Sequence, residues 1–253
     1  MAGFLGSGDL RGDRFSSAGA ATGFVDWGNA TKFAIQEEAE IKTRKSTGKT
    51  TYGNTLDTAT IKQPAKIMIT LDDLNHTNLA IAFLGTSATY TQSASSIAVQ
   101  TLTTASVLDR WSFLDTEFKN FTAGTVDVYD DAIKTTTYAE GTDYEWDYAL
   151  GMLRPLTGGA ITVDTVVYVD GDYGALAGHT IAGGVQPAID VAFVLDGKNQ
   201  VNGDNVDVRV VKATVAPTSE VDFFAEDFNT LELEGELQLP TGYTEAYTVQ
   251  LSS

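Results

Sequence analysis

The chain has 253 residues, no cysteine and two histidines, and its 34 acidic and 16 basic residues give a net charge of −18. This composition excludes disulfides and thiolate chemistry, and the charge disfavours nucleic-acid binding, which needs a cationic surface. No window approaches the run of about 20 apolar residues that crosses a bilayer, so we expect no membrane partner.

The charge is unevenly distributed along the chain. Residues 1–85 hold nine basic and nine acidic residues, whereas residues 86–175 and 176–253 each have a net charge of −9. Acidic surfaces generally keep proteins dispersed, so most single carboxylates need no functional explanation. Carboxylates that recur along one face of a strand are the exception.

Period-two alternation predicts a mainly β fold from the first third of the chain onwards. A predicted strand at residues 33–41 places Glu38 and Glu40 on its polar side. A later strand places Ile67, Ile69 and Leu71 on one face. Side chains of a strand alternate between its two faces, so each strand has one side suited to a core.

A basic cluster lies on a predicted loop between these two strands. It consists of Lys42, Arg44, Lys45 and Lys49. Its functional interpretation is contact with an acidic neighbour, and the alternative is a solvated loop tip.

One helix is predicted at about residues 74–84. Cap candidates precede it in the segment 72–75, and Leu79, Ala82 and Phe83 follow at helical spacing. Gly85 is expected to end the helix, as glycine commonly does.

The middle of the chain is predicted to form a separate unit. Residues 86–105 carry no charge and read as a connector or a weak strand pair. Residues 106–173 contain short predicted strands at 125–129, 143–146 and 163–169. The predicted organisation is therefore one β domain built from residues 1–105 and 174–253, with a β-rich insert at 106–173.

The last third of the chain contains the strongest strand patterns. Alternating apolar residues occupy 189–195 and 206–210, and Asp196-Gly197 and Asn202-Gly203 are predicted hairpin turns. The segment Leu231–Leu239, LELEGELQL, then alternates apolar residues with Glu232, Glu234 and Glu236. This strand must have one apolar face for a core and one acidic face.

Nothing in the sequence predicts catalysis. A histidine base would have to be His76 or His179, and acidic pairs such as Asp130-Asp131 and Glu226-Asp227 are expected by chance among so many carboxylates. We therefore expect no enzyme, no catalytic residue, no metal and no cofactor.

Four segments together resemble the major tail protein, or tail-tube protein, of long-tailed, siphovirus-type bacteriophages. They are GDL at 8–10, YGNTLDTATIKQPAKIMITLDDLNHTNLAIAFLG at 52–85, YAEGTDYEWDYALGMLRPL at 138–156 and EDFNTLELEGELQL at 226–239. The block that ends in LAIAFLG is the most specific of them.

The resemblance implies a β-sandwich or partial barrel with one flanking helix. In that family six subunits form a ring, rings stack into a tube, and strands of all six join a barrel around a lumen. A loop at about 43–66 would reach a neighbouring subunit, and the insert would decorate the tube. The family's partners are the tape measure, tail terminator and distal tail proteins. The resemblance also implies that the protein resides in the virion tail, which is assembled in the bacterial cytoplasm. DNA would pass through the tube without specific binding.

Two expectations about residues follow from this resemblance. Lumen-lining candidates are Glu38, Glu40, Glu232, Glu234 and Glu236. Inter-subunit candidates are Lys42, Arg44, Lys45 and Lys49, which would meet acids of an adjacent copy. The alternative function is a β-sandwich surface-binding module of the adhesin or surface-layer type, which would stay monomeric or bind sugar or calcium.

Overall fold

The computed structural model describes residues 3–16, 19–114 and 118–252. Strands account for 51% of the chain and helix for 3%, which confirms the predicted mainly β class. The chain divides into two compact units, one of Met1–Ser87 with Ile181–Ser253 and one of Ala88–Thr180. The second unit is therefore an insertion, but it begins earlier and ends later than the predicted 106–173.

The first unit contains one short helix and most of the long strands among the described residues. In chain order these elements are β1 (Gly6–Arg14), β2 (Val25–Asp26), β3 (Ala30–Gln36), β4 (Ala39–Lys45), β5 (Thr55–Lys62), β6 (Lys66–Leu71) and α1 (His76–Ala82). After the inserted unit they continue as β16 (Ile189–Asn199), β17 (Asn205–Pro217), β18 (Leu231–Leu237) and β19 (Tyr247–Ser252).

An antiparallel sheet is the framework of the first unit. Its strands follow the order β2-β1-β16-β17-β18-β6-β3, and β19 pairs with the first half of β17. The sheet does not close into a barrel. Strands β4 and β5 pair only with each other in a separate two-stranded sheet.

The core of the first unit lies on one face of this sheet. The predicted row Ile67, Ile69 and Leu71 is fully buried, which confirms its assignment. The rings of Trp27 and Phe193 meet edge to face with centroids 4.9 Å apart, which fills the centre of this core.

The predicted turn at Asp196-Gly197 is wrong, because both residues lie inside β16. Gly8 pairs with Gly197 across the ladder, and a Cβ at Gly8 would lie 2.6 Å from the Gly197 Cα. Glycine is thus needed here for close approach of two backbones. The predicted Asn202-Gly203 turn is confirmed, with Gly203 at a φ of +84°.

Helix α1 is shorter than predicted at both ends. Asn75 caps its start, accepting hydrogen bonds from the N–H groups of Thr77 and Asn78. Leu84 takes the left-handed conformation at its end, with a φ of 47°, and Gly85 follows it and donates its N–H to the Ala80 carbonyl. This pattern is a Schellman ending in which leucine occupies the position that usually favours glycine.

The buried side of the helix also differs from the prediction. Asn78 is buried and donates from Nδ2 to the carbonyl oxygens of Trp27 (2.9 Å) and Asp73 (2.7 Å). The predicted apolar stripe that starts at Leu79 is only half-buried. The helix therefore buries Ala80 and Ile81 together with Asn78, whose amide anchors it to the Trp27 backbone.

The inserted unit has its own sheets and its own core. Its strands are β7 (Thr86–Gln92), β8 (Ser95–Thr103), β9 (Ser112–Phe113), β10 (Asp127–Tyr129), β11 (Thr137–Tyr138), β12 (Tyr144–Asp147), β13 (Met152–Pro155), β14 (Val166–Tyr173) and β15 (Leu176–Ala182). They form the sheets β11-β10-β14-β8 and β12-β13-β9, and the pair β15-β7.

The uncharged segment 86–105 explains why the inserted unit begins before the predicted residue 106. It forms β7 and β8, which pair with β15 and β14 instead of with each other. Leu102 of β8 is fully buried in the core of the inserted unit. The segment lacks charge and a clear alternation, so its long-range pairing could not be assigned from the sequence.

Gly235 provides a test of the register around β18. Its Cα lies in the row that faces the core, and a Cβ there would overlap the Thr214 carbonyl oxygen and lie 2.8 Å from the Val215 Cα. We expect Gly235→Ala to lower the free energy of unfolding by about 1–3 kcal/mol, because the paired backbones would have to separate.

Urea denaturation of this variant measures the effect. Gly3→Ala is the control, since nothing lies within 4 Å of a Cβ at Gly3. An unfolding midpoint for Gly235→Ala equal to that of the control would contradict the register.

Candidate functional site

Strand β18 has one buried and one exposed face, as its sequence predicts. Leu231, Leu233 and Leu237 are buried in the core, and the glutamates between them are exposed. The strand lies between β17 and β6, so its neighbours are fixed: Glu232 pairs with Thr70, Glu234 with Met68 and Glu236 with Lys66.

The end of β3 brings a fourth glutamate to this surface. Glu38 follows β3, and its Oε1 lies 2.9 Å from the Lys66 Nζ. Glu38, Glu234 and Glu236 thus lie around one ammonium group. We call this exposed surface the acidic face, formed by Glu38, Glu232, Glu234 and Glu236.

The environment of Lys66 raises its pKa above the ordinary lysine value. The hydrogen bond from Lys66 to Glu38 and the charge of that carboxylate are the main causes, and the charges of Glu236 and Glu234 add to them. Lys66 therefore stays protonated across the physiological pH range and balances part of the negative charge.

Sequence reasoning missed three basic residues of this sheet surface. Lys66 is one, and Lys32, paired with Thr70 across β3 and β6, is the second. The third is Lys212, whose Nζ lies 2.7 Å from Asp190. Each occupies a polar position of an alternating strand, which is the signal that could have placed it on the exposed side. The sheet surface is therefore mixed in charge, with carboxylates in excess.

The ion pair between Asp190 and Lys212 is supported by hydrogen bonds to Asp190. Burial tends to raise the pKa of Asp190, but hydrogen bonds from Lys212 and Thr214 outweigh burial, and the pKa is lowered. The Thr214 Oγ1 donates to Asp190 over 2.5 Å. This carboxylate is thus fixed in its ionised form beside the acidic face.

Glu40, the fifth candidate, lies on β4, in the separate two-stranded sheet. The predicted strand at 33–41 is broken, because β3 ends at Gln36 and pairs with β6, whereas β4 starts at Ala39 and pairs with β5. The Glu40 Oε2 accepts a hydrogen bond from the Gln63 Nε2 at 3.0 Å. Glu40 thus lies near Glu38, and a change of pairing partner places it in a different sheet from the β18 glutamates.

The predicted loop at 43–66 is also different in the structure. Residues 39–62 form a β-hairpin, which we call the arm, built from β4, β5 and the turn between them. All residues of both strands are exposed. Four large apolar side chains are exposed on it: Ile41, Tyr52, Leu56 and Ile61.

The four predicted basic residues divide into two groups on the arm. Lys42 and Arg44 have carboxylate partners within it, at 3.6 Å from Glu40 and 2.5 Å from Asp57. Lys45 lies on the opposite face of β4, and Lys49 lies in the turn. Within the described ranges, no carboxylate lies at salt-bridge distance from either of them.

A second exposed surface was not predicted from the sequence. Residues 218–230 connect β17 to β18, and we call this segment the phenylalanine loop. Phe223, Phe224 and Phe228 are 75%, 95% and 97% exposed. The loop also contains four acidic residues and no basic one: Glu220, Asp222, Glu226 and Asp227.

Hydrogen bonds hold the phenylalanine loop in shape. The Asn229 Nδ2 donates to the Asp222 carbonyl at 2.8 Å, and the Asp222 N–H donates to the Asn229 Oδ1 at 3.2 Å. The Ser219 Oγ donates to the Thr230 carbonyl at 3.1 Å. The sequence did show three phenylalanines in an acidic segment, but it could not show that the core excludes them.

Two further observations limit the kinds of site. No group of three or more His, Asp or Glu side chains in the described part of the chain is arranged to hold a metal ion. None of the helical residues described here forms a segment long and apolar enough to span a membrane.

The pKa of Lys66 tests the geometry of the acidic face. We expect Glu38→Gln to lower this pKa, because the protonated ammonium group loses its main carboxylate partner. Glu234→Gln should lower it less, since Glu234 acts only through its charge and more weakly. A ¹³C NMR titration of the lysine side chains measures both values. An unchanged Lys66 pKa in Glu38→Gln would contradict the contact.

Comparison with known proteins gives a family. No curated protein matches the chain. The family model described as "Protein of unknown function UCP028589" matches residues 3–245. Because this match covers nearly the whole chain, the protein belongs to the family UCP028589.

Proposed function

We propose that this protein is the major tail protein of a long-tailed bacteriophage. It self-assembles into hexameric rings that stack into the tail tube, and its acidic face lines the channel through which DNA leaves the virion. The observation that carries this proposal is the sheet of β3, β6 and β18, which packs a core on one side and exposes clustered carboxylates on the other.

The open sheet supports assembly from several copies. Among the described strands β3 pairs only with β6, so its other edge has unpaired backbone groups. Exposed edges of this kind are templates for pairing with another chain. Strands shared between copies would complete a barrel around a lumen, with apolar side chains outward and polar side chains toward water.

The charge of the acidic face suits a channel for a polyanion. Two unit charges about 10 Å apart in water repel by only about 0.4 kcal/mol before screening, and salt weakens this further over a Debye length of about 10 Å. Repulsion by one carboxylate is therefore small. The surface matters because its excess of carboxylates offers DNA little to bind, and the Lys66 ammonium is paired with Glu38.

The arm adds independent support for self-association. It exposes large apolar side chains on both faces and at its tip, and exposed apolar surface beyond scattered single residues commonly marks an interaction site. The resemblance of the sequence to tail-tube proteins predicts contact with a neighbouring copy in this same region.

The remaining partners follow from that resemblance. They are the tape measure protein inside the tube, and the tail terminator and distal tail proteins at its two ends. The protein would be assembled in the bacterial cytoplasm and reside in the virion tail, and DNA would pass without specific binding.

Imaging of the purified, concentrated protein tests the proposal. We expect electron micrographs with stacked rings of six copies around a central channel. A reconstruction should place Glu232, Glu234 and Glu236 on the channel wall. A surface-binding module would instead give compact single particles. A protein that stays monomeric at every concentration in virion-like salt would refute the assembly proposal.

Retention of DNA by assembled tubes tests the role of the carboxylates. We expect Glu232→Lys combined with Glu234→Lys to make tubes that hold DNA at low salt and release it as salt rises, because lysines bind phosphates with counterion release. Asp127→Lys with Asp172→Lys makes the same change of charge in the inserted unit and should retain no DNA. Equal retention by both variants would argue against a channel location of the two glutamates.

A further inference from the structure

The first unit carries two exposed surfaces that differ in chemistry. The arm exposes Ile41, Tyr52, Leu56 and Ile61, and the phenylalanine loop exposes Phe223, Phe224 and Phe228. Neither surface is covered within one copy. We propose that the arm of one copy docks on the phenylalanine loop of a neighbouring copy. This inference rests on the proposed self-assembly and identifies one of its contacts.

The charges of the two surfaces are opposite. The arm holds five basic residues and two acidic ones, a net charge of +3, within a chain of −18. The phenylalanine loop holds four acidic residues and no basic one. Complementary charge of this kind guides association and selects the partner surface.

One face of the arm is better suited to this contact than the other. Alternation along β4 and β5 places Ile41, Lys45 and Lys62 on one face, and Lys42 and Arg44 on the other. Lys42 and Arg44 already have carboxylates within the arm. In the described chain Lys45 and Lys62 have no such partner, so their charges are available to acids of a second copy.

The apolar groups on both sides explain why the contact would persist when salt screens the charges. Aromatic residues are enriched at interface centres, where they bury large apolar areas. The three phenylalanines are among the most exposed large apolar side chains of the described residues. On the docking face of the arm Ile41 is their aliphatic counterpart, and Tyr52 lies in the turn at the tip.

The hydrogen-bonded form of the phenylalanine loop favours docking as well. Asn229 and Asp222 close the loop through two hydrogen bonds between them. A preformed surface loses less conformational entropy on binding than a disordered one.

The two surfaces are different patches of the same chain, so the contact joins copies head to tail. Each copy would donate one arm and accept one arm. Contacts of this type continue from copy to copy into closed rings or open stacks, whereas a self-complementary patch stops at a dimer. The arm of a second copy of this chain is therefore the partner that we assign to the phenylalanine loop.

Charge exchange on the full-length protein tests the pairing. Lys45→Glu with Lys62→Glu reverses the arm face, and Glu226→Lys with Asp227→Lys reverses part of the loop. We expect each double variant to raise the concentration needed for assembly by about tenfold or more in low salt, because like charges would face each other. The quadruple variant restores opposite charges and should assemble near the wild-type concentration.

The controls separate this inference from the proposed function. Arg110→Glu with Lys119→Glu makes the same change of net charge in the inserted unit and should assemble as wild type. If wild type assembles and either reversed variant does so equally well, the docking proposal is wrong. It is also wrong if both double variants are impaired but the quadruple variant is not restored. A wild-type protein that never assembles refutes the proposed function instead, and the docking proposal falls with it.

The apolar part of the contact has its own measurement. Phe224→Ser with Phe228→Ser should raise the assembly concentration even at high salt, where charge reversal has a reduced effect. These side chains are almost fully exposed, so the variant should fold normally, as checked by circular dichroism. Normal assembly of this folded variant at high salt would overturn the docking proposal.

Discussion

The alternation of side chains along β18 is the constraint on which the rest of the structure depends. The strand is paired on both sides, so it cannot rotate or shift without breaking two ladders. Burial of Leu231, Leu233 and Leu237 contributes about 1.5–3 kcal/mol for each side chain. A shift by one residue would bury the glutamates instead, and an uncompensated buried charge costs several kcal/mol. The exposure of the acidic face is therefore a consequence of the core.

Lys66 reduces the electrostatic repulsion among the carboxylates of this face. It lies across from Glu236 in the ladder and beside Glu38, so its ammonium group meets carboxylates from β18 and from the end of β3. A surface salt bridge of this kind adds little to stability. Its effect is to arrange the charge: Lys66 balances part of the negative charge at the centre of the face, and Lys32 lies across Thr70 from Glu232. A polyanion would meet carboxylates with few accessible ammonium groups.

The two units divide the chain between separate cores. The inserted unit buries its own apolar residues, among them Leu102, Leu153 and Val167, whereas the acidic face, the arm and the phenylalanine loop all belong to the first unit. Both boundaries fall in strands of one pair, β7 and β15. Chain ends that lie side by side allow a domain to be inserted with little disturbance of its host. This organisation lets the chain carry a β-rich insert between α1 and β16 without interrupting the strand pairing of the first unit's main sheet.

The sequence by itself determined the mainly β class, the helix near residues 74–84 and the two faces of β18. These features depend on local periodicity and capping, which a single sequence displays directly. Only the tertiary structure decided the break between Gln36 and Ala39, the wider boundaries of the insert and the partners of Lys66. Those depend on pairing between strands distant in sequence, for which alternation specifies a face but not a neighbour. The exposure of Phe223, Phe224 and Phe228 was decided in the same way, because an apolar residue is buried only where the fold provides a core to receive it.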